Sequence, residues 1–185
     1  MNVYDFDGTI YRGDSSVDFY VYCILRYPWL ICFLPYQIWG ILLYKIGLTS
    51  KEREKSAFFS FLKLIPDVEG IVAKFWRRNT GRIAVWYQCQ KNESDVVISA
   101  SPEFLLRPAC SMLGLQNLIA SEVNPSNGDF LGKNCYGEEK VRRFREMFPK
   151  AKIDSFYSDS RSDSPMAAIA GKAYLVKDAS HIDNW

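Results

Sequence analysis

Apolar and polar positions divide the chain into short strand-like runs and longer helical stripes. The first run holds Val3, Tyr4 and Phe6, β-forming side chains that Gly8 then interrupts. The next strand signal comes only at Val96, Val97 and Ile98, a buried run that meets Ser99-Ala100-Ser101-Pro102. Helical patterns lie between them. Asp14, Ser15 or Ser16 caps a helix over residues 17–25. Residues 51–64 carry the stripe Ala57, Phe58, Phe61 and Leu62, continued by Ile65. Thr49 with Glu52 fits the capping box that opens this stripe better than Ser50 does. Pro66-Asp67 ends it, and Ile71, Val72, Phe75 and Trp76 mark another helix over residues 68–77. Residues 83–88 fit a helix or a strand. A block of about 75 residues exceeds any ordinary loop. The expectation is a helical cap at residues 14–90, inserted after the first strand of an α/β core made of residues 1–13 and 91–185.

Residues 27–44 carry no charge and include Pro28 and Pro35. Their length only reaches the lower limit for a membrane span, about 18 residues. The prolines and Gln37 break the run, so two buried cap helices are expected. The alternatives are an apolar wall facing a substrate, a face resting on a bilayer, and a span.

Beyond residue 98 the pattern is that of an α/β core. Ser101 serves as a helix N-cap with Pro102 at the first helical position, unless the serines at this strand end bind a ligand. A helix over residues 103–113 leads to a strand at 117–120. Asn127-Gly128 signals a turn, with a short hairpin arm at 129–135. Val141, Phe144 and Phe148 mark a helix that Gly137 opens. Strands are expected at 153–157 and 173–176, and a short helix at 166–170 stopped by Gly171. The polar tail, residues 178–185, reads as the least ordered part.

Composition narrows the function. The 185 residues are 48% hydrophobic, enough for one α/β domain with an insertion. A net charge of +2 gives no electrostatic case for a nucleic-acid partner. Five scattered cysteines without a CxxC pair, and no cleavable leader, fit free thiols in the cytoplasm. His181 is the single histidine, so a Cys/His metal site is not expected.

Four chemical features fall at predicted strand ends or helix starts. Asp5 and Asp7 are two apart, and paired carboxylates serve as a nucleophile with a proton-transfer partner. Ser99 ends its strand, where α/β sheets bind ligands. Lys140 lies in the first turn of a helix, where the dipole disfavours a cation unless an anion is shared; the other reading is a solvated lysine beside Glu138 and Glu139. Asp159 and Asp163 flank a strand-to-helix turn and can face one hard cation, unless Asp163 is an N-cap. Together they make a phosphate site with Mg²⁺, in which Ser99 and Lys140 hold phosphoryl oxygens.

These residues resemble the motifs of the haloacid dehalogenase superfamily, in its phosphoserine-phosphatase-like branch, subfamily IB. DFDGT at 5–9, VVISAS at 96–101, GEEK at 137–140 and YSDSRSD at 157–163 arrive in the family's order. The resemblance implies a Rossmann-like three-layer core with a helical cap after the first strand. It implies that Asp5 attacks phosphorus, that Asp7 acts as acid and then base, and that Ser99 and Lys140 stabilise charge. It further implies Mg²⁺ held by Asp5, the Asp7 carbonyl, Asp159 and Asp163, and substrate contacts at Gly8, Thr9, Asp14 and Ala100. Ser158 and Ala100 replace family glycines, Asp14 is shorter than the branch's glutamate, and Arg26 and Arg53 are the candidate cap arginines. The expectation is a Mg²⁺-dependent phosphatase for a small or lipid-like phosphomonoester, cytoplasmic or peripheral to a membrane through the apolar cap, and a monomer or weak homodimer. The alternatives are phosphoserine phosphatase, a non-catalytic phosphate-binding regulator on the same scaffold, and a receiver-like protein.

Overall fold

The computed structural model describes all 185 residues. Six strands form one sheet: β1 (Asn2–Tyr4), β2 (Val96–Pro102), β3 (Asn117–Ser121), β4 (Ile153–Ser158), β5 (Ala170–Lys177) and β6 (His181–Asn184). Their order is β3-β2-β1-β4-β5-β6, parallel except for the antiparallel β6. Alternation sends Val3, Val96 and Ile98 to one face, and Tyr4 and Val97 to the other. On the first face they meet Phe144 of α7 (Glu138–Met147) and Met166 of α8 (Ser164–Ala168). On the second face they join a larger aromatic core with α5 (Val85–Gln90) and α6 (Glu103–Met112). The result is an α/β/α sandwich whose central strand is β1. The chain departs from β1 to both sides, and such a switch point is where open α/β sheets hold ligands.

The long insertion contains α1 (Ser15–Arg26), a 3₁₀ turn (Pro28–Phe33), α2 (Leu34–Lys45), α3 (Lys51–Phe59) and α4 (Val68–Asn79). Asp14 caps α1, accepting from the amides of Ser16 and Val17. Phe19 of α1 and Phe75 and Trp76 of α4 pack into the same aromatic core as Tyr4 and Phe6. The insertion and the sheet therefore share one apolar interior.

Several local expectations are corrected. Ser50, not Thr49, caps α3, because its Oγ reaches the Arg53 amide. The stripe at 51–64 is not one helix: it tightens to a 3₁₀ turn at Ser60–Leu64. Of residues 83–88, those from Val85 on are helix in α5, while Ile83 forms an isolated bridge with Tyr11. The helix after β4 ends at Ala168, and Gly171 lies inside β5, where a Cβ would come within 3.1 Å of the Asp154 carbonyl. The arm at 129–135 reduces to one bridge, Val123 to Phe130. The polar tail carries a strand: β6 pairs with β5, and the Trp185 ring lies 6.1 Å from Phe156. The two buried helices expected over 27–44 are a 3₁₀ turn and α2, and only Leu30, Gln37 and Gly40 within them are buried. No helix is long and apolar enough to cross a membrane.

Candidate active site

Asp5 follows directly on β1, anchored by its amide to the Tyr157 carbonyl of β4 at 2.8 Å. The chain then turns at Gly8, whose φ of +68° favours glycine. A Cβ there would sit 2.1 Å from Asp159 Oδ2, so the bare backbone is what lets the two loops approach.

Lys140 is the hub. It is 2% exposed, and its Nζ donates to Asp5 Oδ1 at 3.0 Å and to Asp163 Oδ2 at 2.7 Å. The reading of a solvated lysine beside Glu138 and Glu139 is thereby excluded. Burial works to lower its pKa, but the two carboxylates outweigh that and hold it above the ordinary lysine value. Burial likewise pushes the Asp5 carboxyl up; Lys140 pulls it back, while Asp163 and Asp159 add to the rise. No protein donor reaches Asp5 Oδ2.

Asp7 is held in place from two sides. Its Oδ2 accepts from Ser101 Oγ at 2.5 Å and its Oδ1 from the Ser15 amide at 2.7 Å. Burial, then the charge of Asp14, push its carboxyl up to about 6 against these donors. Ser101 is therefore not an N-cap; Pro102 occupies that position at the start of α6, and the Ser101 hydroxyl is spent on Asp7. Ser99 is buried, its Oγ accepting from the Ser101 amide at 3.1 Å.

Asp163 is 1% exposed, and Ser158 Oγ also donates to its Oδ2, at 2.8 Å. Asp163 Oδ1 is buried without any partner. Burial raises the Asp159 carboxyl as well. Three carboxylates around one lysine leave excess negative charge, and an orphaned buried oxygen lacks a cationic or donor neighbour. All the donors are oxygens, which suits a hard cation. No three acidic, histidine or cysteine side chains converge as metal ligands. Magnesium does not require them, since it binds through one or two carboxylates and keeps its waters.

A cleft of about 430 Å³ joins these groups to the insertion. Asp5, Asp7, Asp14, Ser99, Ala100, Lys140, Asp159 and Asp163 all line it. Gly8 and Thr9 do not. The Gly8 amide donates to the Gly13 carbonyl at 3.0 Å, the Thr9 amide to Phe6 at 3.3 Å, and the Thr9 side chain is fully buried. Arg26 and Arg53 also lie outside the lining. A larger groove of about 800 Å³ lies along β3 and α7, but its charges are paired among themselves, as in Glu139 with Arg142 and Arg143. Volume alone is thus a poor guide here.

The cation that does reach in from the insertion is Lys55 of α3. Its Nζ donates to the Ala100 carbonyl at 2.9 Å and to Asn134 Oδ1 at 2.8 Å. Burial, helped by neighbouring Lys51, lowers its ammonium to about 8. Lys51, Lys55, Phe58 and Phe59 follow helical spacing, and all four line the cleft. A lysine four residues past Lys51 and three before Phe58 was the available signal. Ser101 and Ser158 offered none beyond their neighbours in the motifs.

The family profile of haloacid dehalogenase-like hydrolases matches residues 3–168. The sequence is 35% identical to protein CicA of Caulobacter vibrioides over 102 residues, 51% of this chain and 46% of that protein. It is 23% identical to a histidinol-phosphatase of Neisseria meningitidis serogroup C over 114 residues, 55% of this chain and 51% of that one. The chain thus aligns with about half the length of these curated relatives. A protein of unknown function from Bordetella pertussis Tohama I shares the fold with a TM-score of 0.72 at 18% identity, over 94% of this chain and 87% of that one. Phosphoserine-phosphatase-like structures share it more weakly and assign no subfamily. With the profile spanning most of the chain and phosphatases among the named relatives, the chain belongs to the haloacid dehalogenase-like hydrolases.

Proposed function

We propose that the chain hydrolyses phosphomonoesters through an aspartyl-phosphate on Asp5. The observation that carries this reading is the Lys140 ammonium seated between Asp5 and Asp163, facing an Asp7 carboxyl that is separately held. Asp5 Oδ2 attacks phosphorus, and the bond from phosphorus to the leaving oxygen breaks. Asp7, with a carboxyl raised toward neutrality, delivers its proton to that oxygen. Asp7 then takes a proton from water as the water attacks the same phosphorus, and the phosphorus–Asp5 bond breaks to release phosphate. Ser99 and Lys140 hold the charged oxygens, a contribution worth about 3 kcal/mol per donor. Asp5, the Asp7 carbonyl, Asp159 and Asp163 would hold Mg²⁺, which when bound supplies charge neutralisation for the carboxylates and the phosphoryl group.

Residues 14–90 act as the cap that closes over a core of residues 1–13 and 91–185. Lys51 is paired with Glu54 at 2.9 Å, whereas Phe58, Phe59 and Val17 give the cleft an apolar wall and Lys55 gives it a cation without an acidic partner. That pairing favours a leaving group with an apolar body and a second negative charge, as a lipid phosphate has. It disfavours free phosphoserine, whose ammonium would meet Lys55.

The test is phosphate release from p-nitrophenyl phosphate with Mg²⁺, together with acid quenching and mass spectrometry of the chain. A covalent phosphoryl adduct is expected in the wild type. Asp5→Asn should lose both the adduct and turnover; an adduct that persists in this variant overturns the reading.

A further inference from the structure

Helix α2 is built inside out. Its buried positions are Gln37 and Gly40. Gln37 accepts from Tyr20 Oη at 2.5 Å and donates to the Phe58 carbonyl at 2.9 Å. Gly40 lies so close to α3 that a Cβ would sit 2.8 Å from the Ala57 Cβ. The helix thus docks by its polar and small side. Its large apolar side chains point away: Ile38, Trp39 (59% exposed) and Leu42. The surface continues through Trp29 and Ile31 before the helix and through Ile46 and Leu48 (71% exposed) after it. A water-facing helix normally turns such residues inward.

Charge identifies the occupant. From Phe19 to Lys51 the chain has no acidic residue, and its cations are Arg26, Lys45 and Lys51. Arg26 also lies in a surface groove with Lys74, Arg77 and Arg78, beside the exposed Leu25. None of these four cations has an acidic partner within ion-pair distance. Tryptophan and tyrosine on an apolar face flanked by Lys45 and these four unpaired cations match a bilayer interface, with rings at headgroup depth and cations on lipid phosphates. At 12 residues, α2 is about 18 Å long against a hydrocarbon core of about 30 Å, so it lies on the surface instead of crossing.

We infer that the face formed by residues 29–48 and the Arg26–Lys74–Arg77–Arg78 cluster docks the chain on anionic phospholipid membranes. Lys51, on the rim of the catalytic cleft, stands 4.6 Å over the Tyr44 ring, so docking brings the cleft mouth to the membrane surface. The docking stands independently of the phosphatase reading.

Co-sedimentation of the full chain with vesicles tests it. Binding to phosphatidylcholine vesicles that contain phosphatidylglycerol should exceed binding to phosphatidylcholine alone by about tenfold, and should fall with added salt. The double variant Ile38→Ser/Trp39→Ser should lose binding to both. Arg77→Gln/Arg78→Gln should lose only the preference for anionic vesicles. Both variants should keep the wild-type circular dichroism spectrum and turnover of p-nitrophenyl phosphate; if turnover is absent from the start, the vesicle readout still decides. A wild type that stays in the supernatant with every vesicle overturns the proposal. So does a stable dimer by sedimentation equilibrium that Ile38→Ser/Trp39→Ser dissociates, since a second copy would then cover the face.

Discussion

Lys55 carries a charge that changes within the working pH range. Its ammonium is lowered to about 8, first by burial and then by Lys51. Below that pH the group is charged and would attract an anionic leaving group; above it that attraction would be lost. KM for an anionic monoester should therefore rise between about pH 7 and pH 9, with little change in kcat. Lys55→Met should raise KM about tenfold to a hundredfold at neutral pH and remove its pH dependence in this window. A KM profile that keeps its rise in the variant would assign the titration to another group. The residue was hard to find because its partners, Ala100 and Asn134, lie 45 and 79 residues away. That Asp5, Asp7, Ser99, Lys140, Asp159 and Asp163 converge on one cleft was legible, because type and spacing within short motifs carry them. Ser101 and Ser158 were visible as letters, but their duty toward Asp7 and Asp163 depends on which way each hydroxyl points.

At the scale of elements, α2 and α3 are held together by one missing side chain. Gly40→Leu must push α2 off Ala57 or strain both helices, at a cost of about 1–3 kcal/mol. The midpoint of urea unfolding should fall accordingly. Because α3 carries Lys51, Lys55, Phe58 and Phe59, KM should move as well, whereas a purely local strain would leave it unchanged. The strands at 96–98, 117–120 and 153–157 were readable, since short segments rich in β-formers such as Val96–Ile98, Leu118–Ile119 and Phe156–Tyr157 suit a buried strand. The direction of α2 was not. An apolar count reports how much oily surface a helix owns, not which side is anchored, and here Gln37 finds Tyr20 and Phe58 from elsewhere in the chain. The strand in the tail was hidden for a similar reason: the backbone pairing of edge strand β6 with β5 leaves no mark in side-chain pattern.

For the whole molecule, the acidic centre is a store of repulsion that a dication would relieve. Mg²⁺ at about a hundred times its Kd should stabilise the fold by about 2.7 kcal/mol, seen as a higher Tm that chelation reverses. Asp159→Asn/Asp163→Asn should lose this response. An equal rise in that variant would mean the ion binds elsewhere.

The sheet order has a further consequence. Asn2–Tyr4 pairs with Val96–Val97 on one side and with Ser155–Tyr157 on the other. During translation the central strand must wait for about 150 more residues before its second neighbour emerges, and contacts of such separation form slowly. The nascent chain therefore holds β1, and Asp5 beyond it, without the β4 neighbour until residues 155–157 emerge, while the aromatic helices that follow gather first. Chaperone engagement with the early product, and its sensitivity to premature termination, should reflect that delay.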